Sequence, residues 1–256
     1  MTLFVGTSGW QYKDWRGALY PQGRPTRLWL EEYAARFATV EINNAFYRLP
    51  TRENFEAWRA RVPEDFVVAV KASRYLTHIK RLRDPEEPVN RLMSHAEGLG
   101  DCLGPILLQL PPTLRADAGL LDTCLGCFPA GTRIAVEPRH DSWWTPEVRE
   151  VLESHHAALC WADAHSRPTT PLWRTTDWAY LRLHQGRAHP WPHYGRQALT
   201  TWADRLAATW PARADVYVYF NNDPGAAAVE DATTFARAAR RAGLNPTRTP
   251  DRLARA

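Results

Sequence analysis

Eight short apolar runs, each closing on a polar or charged residue, constrain this chain more than any other feature. They cover residues 3–6, 39–42, 66–70, 106–108, 133–136, 157–161, 178–181 and 216–220. The residues that close them are Thr7 and Ser8, Asn43, Lys71, Gln109, Glu137, Asp163, Arg182 and Asn221. The runs recur every 25 to 40 residues or so, roughly, with helix-length segments between them, which is the pattern of βα units around a parallel sheet. Eight units in 256 residues match the count of a single (β/α)8 TIM-type barrel, whose site lies at the strand C-termini. One domain over residues 1–256 is expected, with 243–256 a polar tail that ends in a short turn or a frayed end.

Bulk composition narrows the class without naming a reaction. The chain is 45% hydrophobic and 23% charged, as ordinary globular proteins are. No apolar stretch approaches the length of a membrane span, and the start, Met1 to Gly6, reads as a strand and not as a signal peptide. A cytoplasmic protein without a membrane partner is therefore expected. The net charge of +4 permits a polyanionic partner without demanding one. Four cysteines are too few for a disulfide framework, and the Cys124/Cys127 pair has no second pair to complete a zinc site. Those thiols read as buried packing.

Segments between the runs read mostly as amphipathic helices at 27–37, 52–61, 145–154, 197–209 and 226–242, the third opening on a Thr145 cap followed by Pro146. Two connections, 73–88 and 165–177, are too long or too proline-rich for plain helix and read as loops over the catalytic face.

Strand side chains alternate, so residues two apart share a face. Val40, Ile42, Val136 and Leu181 are apolar and belong outside, against helices. Their alternates point inward, at the top of the barrel: Glu41, Lys71, Gln109, Glu137, Arg139, Asp163, Arg182, His184 and Asn221. A bland reading is an ion-pair network that plugs the barrel. Burying so many charges is costly, however, and a structural plug would be built more cheaply from apolar layers. A polar-ligand site is the expected use.

Further motifs surround these positions: Gly6-Thr-Ser-Gly-Trp10-Gln-Tyr12, Glu41-Ile-Asn43-Asn-Ala-Phe46-Tyr47-Arg48, Lys71-Ala-Ser73, Gln109-Leu-Pro-Pro112, Glu137-Pro-Arg139-His140, Arg182-Leu-His184 and Tyr219-Phe-Asn221-Asn222-Asp223. Together they resemble the DUF72, or YecE-like, family along nearly the whole chain. The resemblance implies a TIM-type barrel, similar at superfamily level to xylose-isomerase-like and endonuclease-IV-like barrels, and implies no particular reaction. Ala45, Pro138 and Gln185 depart from the family pattern, the last by intruding between His184 and Gly186.

The ring supports general acid–base chemistry, with hydrolysis the leading form, on a small polar, sugar-like or phosphorylated substrate. Glu41, Glu137 and Asp163 are the catalytic candidates. Lys71, Arg139 and Arg182 are the anion binders, while Trp10, Asn43, Gln109, His140, Trp143, His184, Asn221 and Asn222 would contact or orient substrate. No cofactor is expected. A divalent metal, if one were used, would fall to Glu41, Glu137, Asp163 and His184, although three cations in the same ring oppose it. Loops 185–187 and 221–225 offer a phosphate reading, and equally an ordinary helix-entry turn capped by Asp223. Nucleic acid is the second choice of partner, resting on Arg74, His78, Lys80, Arg81 and Arg83 with Trp143 and Trp144.

Overall fold

A computed structural model describes residues 1–253. Its parallel strands are β1 (Thr2–Thr7), β2 (Thr39–Ile42), β3 (Val67–Lys71), β4 (Leu103–Gln109), β5 (Ile134–Glu137), β6 (Ala158–Leu159), β7 (Trp161–Ala164), β9 (Ala179–Gln185), β10 (Asp215–Phe220) and β11 (Asn245–Pro246). A short β8 (Arg167–Pro168) turns back antiparallel on β7. One sheet runs β11-β1-β10-β9-β7-β8 and the other β2-β3-β4-β5-β6. All eight expected runs fall on strands, and the sixth is split at Cys160 into β6 and β7.

Helices α1 (Trp29–Ala34), α2 (Asn44–Tyr47), α3 (Arg52–Arg59), α4 (Glu86–Ala96), α5 (Ala118–Gly126), α6 (Pro146–Ser154), α7 (Arg196–Thr209) and α8 (Ala227–Arg241) fill the connections. Their starts follow from local chemistry. Thr51, Asp117 and Thr145 each accept a hydrogen bond from the backbone N–H three residues on, satisfying a donor that the first turn cannot. Connection 73–88 contains a π-helical turn, Tyr75–Ile79, followed by positive φ at Arg81, Leu82 and Asp84.

Two apolar clusters occupy opposite faces of the strands. The larger lies between strands and helices. The smaller joins Ala69, Leu107, Ala135, Ala158, Cys160, Trp178, Tyr180, Tyr217 and Tyr219, with Phe4 and Val67 against it. Strands β1 and β2 meet at a parallel bridge between Ser8 and Glu41. Gly6 permits that approach, because a Cβ there would overlap the Thr39 carbonyl.

The described part of the polar tail, 243–253, is tied to the fold. Asn245 and Pro246 pair with Thr2 and Leu3, Ala38 N–H donates to the Arg248 carbonyl, and Arg248 forks onto Asp65 at 2.6 and 3.0 Å. Residues 254–256 of that tail lie outside the described residues. Cys124 is buried on α5 and burial pushes its thiol up to about 12, consistent with packing. Among the described residues no helix is long and apolar enough to cross a membrane.

Candidate functional site

Alternation along β2, β5 and β9 sends Glu41, Glu137 and Arg182 to the same face, and the structure joins them. The Arg182 guanidinium lies between the two carboxylates, donating to Glu137 Oε2 at 2.6 Å and to Glu41 Oε1 at 2.8 Å. Ser8 Oγ donates to the same Glu41 Oε1 at 2.7 Å, and the Tyr180 hydroxyl donates to Oε2 at 2.6 Å. His184 Nε2 lies 2.8 Å from Glu137 Oε1, and Arg139 Nη2 3.1 Å from the same oxygen. Asn221 Nδ2 faces His184 Nδ1 at 3.2 Å, which selects the neutral tautomer with its proton on Nε2.

Charges in this cluster are strongly coupled. Burial opposes ionisation of Glu137, but Arg182 and His184 outweigh it and hold the carboxyl well below its usual range. For His184 burial wins over Glu137, so its pKa falls. Glu41, Glu137 and Arg182 are each at most 1% exposed and form a buried ion-pair network in which each carboxylate oxygen has a donor, while Arg182 Nε is buried without a partner.

Beside it stand polar groups that are not closed. Lys71 is 8% exposed and Gln109 7%, and among the described residues neither side chain makes a hydrogen bond or ion pair. The Lys71 ammonium lies over the Phe46 ring, 4.1 Å from its centroid. Burial, reinforced by Arg182, lowers its pKa to about 8. At the end of β10, Asp223 keeps a buried Oδ1 without a partner. Burial pushes this carboxyl up to about 7; the Tyr12 hydroxyl opposes the shift and the Glu41 charge adds to it.

Several expected ligands are not on this face. Asp163 turns the other way: its carboxylate accepts from the Tyr194 hydroxyl and from Trp202 Nε1, both at 2.9 Å, and ties β7 to α7. The inward positions on the sixth run are Ala158 and Cys160. Every residue there is apolar, so alternation carried no signal. Asn222 likewise faces α8, donating to Asp231 at 2.7 Å and to the Pro192 carbonyl. Trp143 is fully buried with its indole N–H on the Leu114 carbonyl, and Trp10 packs edge-on against Trp58. Neither can stack on a ligand as it stands. His140 accepts from the Ser142 N–H, and Asn43 Nδ2 reaches the Ser8 carbonyl at 3.4 Å.

A metal does not fit the expected set. Asp163 is on the far side of its strand, and the Glu41 and Glu137 oxygens already face Arg182, Ser8, Tyr180 and His184.

Ser8, Tyr180 and Asp223 went unselected in the sequence. The inward alternation of Trp178, Tyr180 and Arg182, and of Tyr219, Asn221 and Asp223, contained the signal for two of them. Of the two readings open for 221–225, the cap at Asp223 does not form: its side chain makes no cap bond, and Asp14 Oδ2 accepts from Gly225 N–H at 2.6 Å instead. Gln185, which departs from the family pattern, coincides with a register shift: Asp163 pairs with Leu183 and Ala164 with Gln185, passing over His184.

Comparisons with known proteins agree along the chain. The family described as "Protein of unknown function DUF72" matches residues 4–254. The UPF0759 protein YunF of Bacillus subtilis (strain 168) is 24% identical over 265 residues, covering 90% of this chain and 92% of that protein. The UPF0759 protein YecE of Escherichia coli (strain K12) is 30% identical over 156 residues, 58% of this chain and 52% of that protein. A solved DUF72 family protein from Thermotoga maritima MSB8 superposes with a TM-score of 0.79 at 27% identity, covering 93% of this chain and 98% of that one.

Proposed function

The chain belongs to the DUF72 family, and from that premise and the site geometry we propose that it is an enzyme binding a small anionic, polar substrate through Lys71. The reaction is general acid–base chemistry, with hydrolysis of a phosphorylated or sugar-like compound the leading form. The carrying observation is a lysine that is only 8% exposed and whose ammonium makes no ion pair: a charge so largely withdrawn from water is costly unless a ligand anion compensates it. Gln109, also buried and unpartnered, supplies a donor and an acceptor to orient that anion, and Arg139 a second positive charge.

Acid–base work falls to Asp223 and not to Glu41. Both Glu41 oxygens are occupied, whereas Asp223 has a free oxygen and a carboxyl pushed up to about 7, near the working pH of a general acid or base. Glu137 acts by holding His184 and Arg182 in place. The architecture we propose is one domain whose two sheets close into an eight-strand barrel. The Ser8–Glu41 bridge supports one seam, and the single residue Cys160 between β6 and β7 supports the other. The site then sits at the mouth, as in other barrels. A cytoplasmic location without a cofactor accompanies this reading. Calorimetric titration with ribose 5-phosphate and inorganic phosphate tests it: Lys71→Met should weaken binding at least about tenfold. Equal affinity in wild type and variant would remove Lys71 from the site.

A further inference from the structure

The loops after β2 and β3, together with helix α4, line an open groove of about 670 Å³, within the usual range of small-molecule sites. Three of the five exposed large hydrophobic side chains among the described residues line it: Tyr47 (74%), Ile79 (60%) and Tyr75 (44%). Tyr75 and Ile79 are the two ends of the π-helical turn, a local irregularity that is frequent at functional sites. Arg48, Arg74 and Arg91 also line the groove against a single acid, Glu87, and none of the three arginines is ion-paired among the described residues.

This groove shares a wall with the Lys71 site. Phe46 lines it, and the same ring carries the Lys71 ammonium at 4.1 Å. Tyr47 and His78 meet that ring edge-on at 5.1 and 4.9 Å. Ser73, two residues beyond Lys71 on the same strand exit, lines the groove as well.

We propose that the groove receives the planar aromatic part of the substrate whose charged group Lys71 holds, so that the substrate class is a nucleoside monophosphate. The inference rests on the Lys71 reading and extends it. Exposed tyrosine faces stack on flat rings, the unpaired arginines complement the ligand's negative charge, and Phe46 joins the two subsites. An acyl chain would leave the arginines without a role, and a bare sugar phosphate would leave the tyrosines without one.

Titration of the full chain with adenosine 5′-monophosphate, adenosine and ribose 5-phosphate separates the parts. Adenosine 5′-monophosphate should bind roughly five- to a hundredfold tighter than ribose 5-phosphate, the increment of stacking one base. The Tyr47→Ala/Tyr75→Ala double variant should remove that increment and leave ribose 5-phosphate binding unchanged, with melting temperature confirming the fold. Equal binding of the two phosphates by the wild type overturns the groove but leaves the Lys71 reading standing. Binding of neither phosphate overturns both. Adenosine 5′-monophosphate binding that survives Lys71→Met overturns the linkage between groove and anion site. Binding of a single-stranded oligonucleotide with steep salt dependence, and of no mononucleotide, overturns the proposal in favour of nucleic acid.

Discussion

The Glu41–Arg182–Glu137 network and the Lys71–Gln109–Asp223 rim use the same kinds of residue at the same ends of the strands, yet one is closed and the other open. In the network every charge has an opposite charge within 2.8 Å. In the rim a lysine and a glutamine, 8% and 7% exposed, make no side-chain hydrogen bond or ion pair, and a carboxyl keeps one buried oxygen unbound. The contrast separates two uses of buried charge. A satisfied network orients and rigidifies, while an unsatisfied one stores a cost that a ligand can relieve.

Breaking the network should have the largest effect. Arg182→Ala leaves two buried carboxylates facing each other and should cost about 3–5 kcal/mol, read as a large drop in the urea midpoint or as failure to fold. A midpoint near wild type would show that water reaches the carboxylates and that the network is not closed.

The rim should respond with the opposite sign. The folded pKa of Lys71 is lowered from 10.5 to about 8, so folding disfavours the charged form. That penalty is complete below about pH 8 and disappears as pH rises through 10.5. Lys71→Met should therefore stabilise the protein by about 1–3 kcal/mol at pH 7, with a smaller gain at pH 10, while losing phosphate binding. Destabilisation at pH 7 would mean that the ammonium is satisfied after all.

Asp223 sharpens the comparison through pH. Its folded pKa lies above the ordinary 3.8, at about 7, so the folded state holds the proton more tightly and stability falls as pH rises between these values. Asp223→Asn should raise the melting temperature at pH 8 by a few degrees, on the order of 1–2 kcal/mol, and change little at pH 4. An equal effect at both pH values would place the carboxyl in ordinary solvent.

Smallest is Asp163→Asn, which weakens the bonds from Tyr194 and Trp202. It should cost about 1 kcal/mol and leave ribose 5-phosphate affinity unchanged; a loss of affinity would return Asp163 to the site.

Much of this was legible beforehand. The inward positions on β2, β3, β4, β5, β9 and β10 followed from two-residue alternation, because each of those strands mixes polar with apolar residues. The sixth strand did not follow, because 157–161 is apolar throughout and its face was undetermined. Residue type alone marks Trp10 and Trp143 as substrate contacts, and only their packing shows that they are buried.

What the sequence by itself determined is periodic and local: the succession of βα units, the helix caps at Thr51, Asp117 and Thr145, and the polar residues at the strand exits. Tertiary structure alone decided which of those polar residues satisfy one another. The partners of Arg182 lie 45 and 141 residues away along the chain, and no local pattern specifies a contact at that separation. It also decided what remained unpaired: Arg182 takes Glu41 and Glu137, and Lys71 is left without an ion pair.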